Sequence, residues 1–461
     1  MTRKNIDFSV LSVLPVRATE LDSVEAVDEW LQSAGSAERS RQVAAMSKDK
    51  LADFVSLLTP VTGPELLGSV DPNLAALIVQ ATGTAQSAQW LGDVDPDQGA
   101  EILRMVSNSA REQLLSQIDP QQAGTLSEIL RCPPQSVSAH MLPDVFAVTE
   151  TMTAMEAESA VRSQNTEMRD RARADAYVYV TDAGGRLTGL LEFQDLVLAE
   201  PNQTVSGLMS GDPFSVGPLV DAEDAAKALV DRELAALPVV DDEGRLLGVL
   251  TADIAADIMR REATEDAERQ GGSAPLEVPY LRASPVHLWR KRVVWLLVLF
   301  LAEAYTGTVL RAFQDEMEAV VALAFFIPLL IGTGGNTGTQ ITTTLVRALA
   351  TDQVRLRDLP HILSKELSTG FLIAATMALA ALIRSWTLGV GMEVTITVCL
   401  TVVAIVLWSS LVASILPPTL KKLRLDPAVV SAPMIATIVD GTGLMIYFTI
   451  AHLVMPQLAG L

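Results

Sequence analysis

The sequence predicts a multidomain membrane protein with a helical repeat domain, a domain of two β-rich repeats and a bundle of five transmembrane helices. Three observations support this class. An aspartate–proline pair recurs at a 24-residue period in the first third of the chain, and a strand–turn–strand pattern recurs 59 residues apart in the middle. Long apolar runs fill the last third. With 461 residues, the chain is also too long for one ordinary domain.

The charge is divided unevenly between the two parts of the chain. Residues 290–461 carry 12 Lys and Arg against 10 Asp and Glu, so residues 1–289 account for a net charge of −23 within a total of −21. The negative charge of residues 1–289 argues against a nucleic-acid partner and favours cations as partners. Many of these carboxylates also serve as solubilising surface. Cys132 and Cys399 allow no disulfide framework, which suits a cytoplasmic location of the acidic soluble half. The scattered histidines argue against an enzyme.

The first third of the chain is a helical repeat, predicted to follow a tail of residues 1–20. The recurring pairs are Asp71-Pro72, Asp95-Pro96 and Asp119-Pro120. An Asp followed by Pro is typical of the N-cap and first position of a helix, where the missing proline N–H costs nothing. We therefore predict a stack of helical hairpins over residues 21–132, in which these aspartates cap helices rather than bind metal.

Residues 133–270 contain the two β-rich repeats. Each is a strand, a glycine turn and a second strand, beginning at Val178 and at Leu237, and each leads into a short helix. The pair resembles two CBS (cystathionine-β-synthase type) motifs. The resemblance implies a regulatory domain and makes ATP or another adenosine nucleotide a candidate ligand, with no residue assigned to it.

The second repeat leads into an acidic helical segment with a predicted joint behind it. Its acids are Asp253, Asp257, Glu262, Glu265 and Asp266. Several share one helical flank, where a divalent cation with oxygen ligands would relieve their repulsion. A solvated acidic helix face explains them equally well. Residues 271–292 are predicted to form a flexible glycine joint and, over 278–292, a short amphipathic helix leading to the membrane.

The last domain, residues 293–461, is predicted to cross the membrane five times. The apolar runs cover residues 293–310, 319–349, 367–383, 394–416 and 428–454. Lys and Arg precede the first run, follow the second and follow the fourth. By the positive-inside rule, these ends face the cytoplasm, so the N-terminus is predicted inside and the C-terminus outside.

Asp440 is the main candidate for an ion site. It lies in the middle of the last apolar run, where an ionised carboxylate costs at least ~2.5 kcal/mol, so such acids usually face a bundle interior or a water-filled path. The alternative is an acid that is protonated, or paired with a buried Arg or Lys.

A stretch of small residues interrupts the second apolar run around Gly334, Gly335, Asn336 and Gly338. Irregular backbone at this depth is tolerated only when it is buried in protein or lines water. Small residues also let helices pack closely. The two interpretations are compatible, because close packing at a dimer axis would place this stretch beside Asp440.

These membrane motifs carry a resemblance to a known family. Residues 328–340 with 345–350, and residues 426–447 around Asp440, are similar to the signatures of the MgtE family of magnesium channels. The order of the domains is similar as well. The resemblance implies a homodimeric Mg²⁺-selective channel of a bacterial plasma membrane that imports Mg²⁺ down its gradient and closes when intracellular Mg²⁺ is plentiful.

The resemblance also implies roles for individual residues. Asp440, Ala436 and Ala432 would be pore positions, with Gly334, Gly335 and Asn336 lining the pore. The regulatory Mg²⁺ ligands would be Asp253, Asp257, Glu262, Glu265, Asp266 and Asp426. Residues 278–292 would form the plug helix that closes the pore. The sequence departs from the family at Ala432, at Gln314 and at Glu303, an unusual acid within the first span.

Two other functions remain open from the residues alone. A secondary exchanger would couple divalent cation movement to Na⁺ or H⁺, with Glu303 as a proton relay. A non-conducting sensor would use the spans as an anchor, although an anchor needs no acid such as Asp440. Co²⁺, Ni²⁺ and Mn²⁺ also stay open as cargo, but a site built from oxygen atoms favours Mg²⁺.

Overall fold

The computed structural model describes residues 18, 21–168, 177–351, 353–423 and 432–458. Apart from Ala18, the predicted tail of residues 1–20 lies outside this part of the chain. The chain divides into two compact units. The first comprises Met1–Glu262 and Glu277–Ala283, and the second comprises Ala263–Leu276 and Ser284–Leu461.

The first unit begins with the helical repeat. Within the described residues, nine helices precede the first strand: α1 (Val24–Ser33), α2 (Ser36–Ala45), α3 (Lys48–Ser56), α4 (Thr62–Ser69), α5 (Pro72–Ala81), α6 (Thr84–Asp93), α7 (Pro96–Met105), α8 (Asn108–Leu115) and α9 (Pro120–Arg131). One continuous core with Trp30 and Trp90 at its centre joins them. The predicted stack of helical hairpins is confirmed.

The predicted caps are confirmed at two of the three aspartates. The Asp71 carboxylate accepts a hydrogen bond from the backbone N–H of Asn73, and the Asp119 carboxylate accepts one from Gln121. Asp95 occupies the same position before α7, but its side chain makes no capping hydrogen bond there. The repeated Asp–Pro pair therefore marks helix starts, as its chemistry predicts.

The two β-rich repeats follow in the first unit, and the end of their last helix, after Glu262, belongs to the second unit. Their elements are β1 (Ala147–Thr149), α10 (Ala154–Met168), β2 (Tyr177–Thr181), β3 (Leu187–Glu192), α11 (Phe193–Leu198), α12 (Val205–Leu208), β4 (Ser210–Gly211), α13 (Ala222–Asp231), β5 (Ala236–Val240), β6 (Leu246–Thr251) and α14 (Ala252–Gln270). β1 to β4 form one sheet in that order, and β5 pairs with β6 in a second. Both predicted hairpins are confirmed.

The two hairpins meet at their turns. Gly185 and Gly244 occupy equivalent positions with φ of 79° and 81°, which a residue with a side chain rarely adopts. Leu187 donates its backbone N–H to the Gly244 carbonyl over 3.0 Å, and Leu246 donates to the Gly185 carbonyl over 3.1 Å. This reciprocal pairing gives the two repeats a pseudo-twofold relationship.

The second unit contains the apolar helices. They are α15 (Pro285–Ala312), α16 (Gln314–Ala319), α17 (Ile327–Ala350), α18 (Leu359–Leu388), α19 (Met392–Lys422) and α20 (Ala432–Val454). Among the described residues, five of these helices, all but α16, are long and apolar enough to cross a membrane. The predicted number of spans is confirmed, and most of them are longer than the apolar runs.

The predicted separate helix over residues 278–292 is wrong. The helix starts at Pro285 and continues without a break to Ala312. Ser284 caps it by accepting a hydrogen bond from the N–H of His287, and Pro285 takes the first position. The helix continues past residue 292 into the first apolar run, because no residue at this predicted boundary breaks it.

Irregular backbone at the glycine stretch is also not found. Helix α17 is continuous from Ile327 to Ala350, and the hydroxyls of Thr333 and Thr337 bond to carbonyls one turn earlier. The glycines let neighbouring helices approach, so the second interpretation, close helix packing by small residues, is confirmed.

Candidate ion-conduction site

The close packing of α17, α19 and α20 depends on missing side chains. A Cβ atom on Gly334 would lie 2.6 Å from Ile405 and 2.7 Å from Val439. A Cβ atom on Gly338 would lie 2.5 Å from Ile435 and 2.8 Å from the Ser409 hydroxyl. These positions leave no room for a side chain, so the backbone of α17 forms one wall beside α20.

Asp440 lies against this wall. A Cβ atom on Gly335 would be 3.3 Å from Ala436 Cβ and 3.7 Å from Asp440 Oδ1. Asp440 Oδ1 is buried and has no hydrogen-bond partner among the described residues. No ion pair with Arg or Lys is found for Asp440 in that part of the chain either, so the alternative of a paired acid is not supported.

Two hydrogen bonds between helices hold this region in place. Ser409 on α19 donates to the Gly334 carbonyl over 2.7 Å, and Trp408 Nε1 donates to Thr442 Oγ1 on α20 over 2.9 Å. Neither Ser409 nor Trp408 is predicted as a site residue from the sequence. Their signal is weak, because a serine and a tryptophan inside an apolar run are common in helices that only pack.

The other predicted pore positions fall into two groups. Ala432, Ala436 and Asp440 are spaced four residues apart on α20, so they share one face of that helix. Asn336 is instead exposed on the surface of the single chain, while Gly334 and Gly335 are buried. The structure therefore brings Gly335 and Ala436 to Asp440 but does not bring Asn336 to it.

The predicted regulatory acids are spread along α14. Asp253 accepts a hydrogen bond from Thr251, Asp257 pairs with Arg260 at 3.1 Å, and Glu265 pairs with Arg269. Across the described residues, no group of three or more His, Cys, Asp or Glu side chains could hold a metal ion. Asp426 lies outside that part of the chain. The regulatory ligand set therefore stays a prediction.

The first unit also contains a buried charged cluster that is not predicted from the sequence. Glu101 on α7 is 8% exposed and accepts hydrogen bonds from Arg261 Nη1 at 2.6 Å and from His140 Nδ1 at 3.2 Å. Although burial raises the pKa of Glu101, its hydrogen bond with His140 and the charge of Arg261 lower the pKa to about 2. The repeat itself contains a signal for Glu101. The equivalent position 24 residues earlier is the apolar Leu77, so an acid at position 101 departs from the pattern.

Asp97 lies one turn before Glu101 on the same helix. It is 7% exposed, and its Oδ1 atom has no hydrogen-bond partner in the described residues. Burial, together with the charge of Asp95, raises its pKa to about 8. Asp97 and Glu101 are thus neighbouring buried acids with opposite pKa shifts, because only Glu101 has cationic partners.

Comparison with protein families gives three matches along the chain. Residues 327–450 match a family described as the divalent cation transporter MgtE, and residues 34–135 match the MgtE intracellular N domain. Residues 205–262 match the CBS domain. The match to the CBS domain covers only the second of the two β-rich repeats.

Individual relatives agree with these family matches. The chain is 39% identical to the magnesium transporter MgtE of Thermus thermophilus over 319 residues, which span 68% of this chain and 69% of the relative. It is 32% identical to the magnesium transporter MgtE of Bacillus subtilis over 60% of each chain. A solved cytosolic domain of the Mg²⁺ channel MgtE in complex with ATP is 26% identical, with a TM-score of 0.47, and covers 51% of this chain and 95% of that one.

Proposed function

Because the chain belongs to the MgtE family of divalent cation transporters, we propose that it is a magnesium channel with Asp440 as the pore ligand. The observation that carries the proposal is the buried, unpartnered Oδ1 atom of Asp440 beside the glycine wall of α17. A carboxylate without a partner at membrane depth is costly unless a cation or water occupies the space beside it. Mg²⁺ prefers oxygen ligands and keeps several of its waters, so one or two carboxylates per ion suffice.

The pore is proposed to lie on the twofold axis of a homodimer. Asn336 and Gln340 are exposed on the membrane helix α17, facing away from the bundle of their own chain. Exposed amides at this depth are expensive in lipid, whereas they are satisfied at a protein interface or beside water. In the dimer, the faces that carry Ala432, Ala436 and Asp440 from both chains would line one path for the ion, with Gly334, Gly335 and Asn336 beside it.

Import through such a path needs no coupled ion. A single charge gains about 2.3 kcal/mol per 100 mV of membrane potential, so a divalent cation gains about 4.6 kcal/mol. This driving force favours a channel over an exchanger in a plasma membrane whose interior is negative. The proposed orientation places the N-terminus in the cytoplasm and the C-terminus outside.

Intracellular Mg²⁺ is proposed to close the channel through the acidic part of the chain. Asp253, Asp257, Glu262, Glu265 and Asp266 lie along α14, and Asp426 is proposed to act with them. Their mutual repulsion would be relieved by bound Mg²⁺. Closure further requires that Mg²⁺ bind the closed state more tightly, since equal affinity for both states would shift nothing. An adenosine nucleotide at the β-rich repeats would be a second regulatory ligand.

Ion flux into liposomes tests the pore assignment. We expect Asp440→Ala to abolish Mg²⁺ flux and Asp440→Asn to lose most of it, while both variants keep the size and thermal stability of the wild type. Glu318→Gln removes an exposed acid from the same membrane part and is the control, with flux expected at the wild-type level. Wild-type flux from Asp440→Ala would refute the assignment.

The same liposomes separate the channel from its alternatives. A channel conducts without a Na⁺ or pH gradient, whereas an exchanger stops when both gradients are removed. A non-conducting sensor shows no flux under any of these conditions. A series of Mg²⁺, Co²⁺, Ni²⁺ and Mn²⁺ then identifies the preferred cation.

A further inference from the structure

Glu303 is an acid in the middle of a helix that is mostly exposed. Its helix α15 is the least buried of the five apolar helices. The carboxylate of Glu303 makes no hydrogen bond or ion pair within the described residues. An ionised acid facing lipid here would cost at least ~2.5 kcal/mol, so its surroundings in the assembled protein must compensate for it.

The register between α15 and α20 places Glu303 at the level of Asp440. Tyr305 packs on Gly441, where an added Cβ atom would lie 2.4 Å from Tyr305 Cε1. Further along, Phe313 stacks on Phe448 with ring centroids 4.6 Å apart. Both sets of residue numbers increase together, so the helices run parallel. A residue of α15 therefore lies level with the residue of α20 about 136 positions later, which for Glu303 is the position before Asp440.

The helix face points the same way. Thr306 faces α20, because its hydroxyl would lie 3.2 Å from a Cβ atom on Gly441. Glu303 precedes Thr306 by three residues, and residues at this spacing are neighbours on one face of a helix. The two carboxylates thus belong to adjoining helices and lie at about one level.

Two buried oxygen atoms at this level of α15 and α20 lack a partner. Thr306 is 4% exposed, yet its Oγ1 atom has no hydrogen-bond partner in the described part of the chain. The Oδ1 atom of Asp440 is in the same state. Buried polar atoms are nearly always satisfied, so two atoms without a partner at the level of the Glu303 carboxylate favour a ligand in this region.

We propose that Glu303, Thr306 and Asp440 form a cation site between α15 and α20, in which Glu303 is a second carboxylate for a hydrated divalent cation. The site rests on the proposed function, since Asp440 is its shared ligand. Mg²⁺ gives up its waters reluctantly, so the cation would contact Glu303 and Thr306 through water and Asp440 from the pore side. Glu303 would then raise the local concentration of divalent over monovalent cations and set the Mg²⁺ concentration at which the pore fills.

Mg²⁺ flux in liposomes at increasing Mg²⁺ concentration tests the site. We expect Glu303→Gln to raise the concentration for half-maximal flux by roughly tenfold, because removing one charge near the cation costs at least about the free energy of a factor of ten. It should also lower the preference for Mg²⁺ over Na⁺. Glu303→Asp should recover part of both losses, and Glu318→Gln serves as the charge-matched control.

A second variant keeps the test valid if Glu303→Gln does not fold. Thr306→Val removes the orphan hydroxyl at nearly constant shape, and we expect it to raise the half-maximal concentration as well. Its control is Thr308→Val, since the Thr308 hydroxyl bonds only to the Ala304 carbonyl of its own helix. If Thr306→Val has wild-type flux and is more stable, the two orphan atoms reflect packing and the site does not exist.

The outcome for Asp440→Asn separates this inference from the proposed function. If Asp440→Asn conducts like the wild type, the pore assignment itself fails. If Asp440→Asn is inactive while Glu303→Gln keeps the wild-type concentration dependence and selectivity, only the second carboxylate is refuted.

Discussion

Arg261 Nη1 donates a hydrogen bond to Glu101 Oε1 over 2.6 Å, joining two residues that are 160 positions apart in the chain. Glu101 belongs to the helical repeat, and Arg261 belongs to α14, directly before Glu262. The pair therefore fixes the middle of α14, between Asp257 and Glu262, to the repeat stack. The Glu101 side chain is buried, at 11% exposed, whereas the Arg261 side chain is 52% exposed.

Glu101→Gln is expected to destabilise the first unit by about 3 kcal/mol. The pKa of Glu101 falls from 4.5 to about 2 in the folded state, and each unit corresponds to about 1.4 kcal/mol. Thermal unfolding of the full-length protein in detergent at pH 7 measures the change. Glu112→Gln, which removes an exposed acid from the neighbouring helix α8, is expected to have no effect.

The lowered pKa of Glu101 also predicts how the free energy of unfolding changes with pH. A lowered pKa means that the unfolded state binds the proton first, so the stabilisation by Glu101 is complete above about pH 4.5 and is lost as the pH falls towards 2. The difference between wild type and Glu101→Gln should therefore shrink in acid. A difference that stays constant down to pH 3 would contradict the ionised pair.

Asp97→Asn is expected to stabilise the protein in alkaline, metal-free buffer. The pKa of Asp97 rises from 3.8 to about 8, so the folded state holds the proton longer and wild-type stability falls as the pH rises through this window. At pH 9 we expect a gain of roughly 1–3 kcal/mol from removing the buried charge. Unfolding at pH 5 and pH 9 measures it, with the exposed Asp93→Asn as the control.

Gly338→Ala is expected to cost about 1–3 kcal/mol through overpacking. The added methyl group would lie 2.5 Å from Ile435 and 2.8 Å from Ser409. Gly332→Ala on the same helix meets no atom within 4 Å, so it should be neutral or stabilising. Thermal stability in detergent compares the pair. Equal effects of the two substitutions would show that α17 and α20 do not pack as described.

Mg²⁺ at millimolar concentration is expected to protect the Gly271-Gly272 segment from proteases. Bound cations would relieve the repulsion along α14 and favour the closed state. Monovalent salt of matched ionic strength should leave the cleavage pattern unchanged. Limited proteolysis of the full-length protein measures both.

A triple variant tests whether the acids of α14 cause that protection. Neutralising Glu262, Glu265 and Asp266 together should abolish it, whereas neutralising the exposed Asp28, Glu29 and Asp49 should leave it intact. Protection that survives the first triple variant would place the regulatory ligands elsewhere. Deleting residues 1–260 should likewise leave a channel that no longer closes at high internal Mg²⁺.

Local chemistry made most of the fold predictable. The Asp–Pro pairs mark helix starts at Asp71 and Asp119, and the glycine turns at Gly185 and Gly244 mark the two hairpins. The length of the apolar runs predicted the five long helices. All these signals act over a few residues, so the sequence displays them directly.

Long-range pairing was not predictable in the same way. Glu101 meets Arg261 and His140 only after the repeat and the β-rich domain have folded, and no local pattern records the contact. The contact between Thr306 and Gly441 depends on the register of two helices that are far apart in the chain. Composition identified Asp440 as an ion ligand candidate, but only packing shows that its Oδ1 atom lacks a partner.

The unbroken course of α15 has a mechanical consequence. From Pro285 to the stacked pair of Phe313 and Phe448, the continuous helix is about 42 Å long, and Glu303 lies about 15 Å from that pair. A tilt of about 5° around the stacked pair moves the Pro285 end by about 4 Å and Glu303 by about 1 Å. Because the helix is unbroken, any tilt that moves its Pro285 end also shifts the Glu303 carboxylate relative to Asp440.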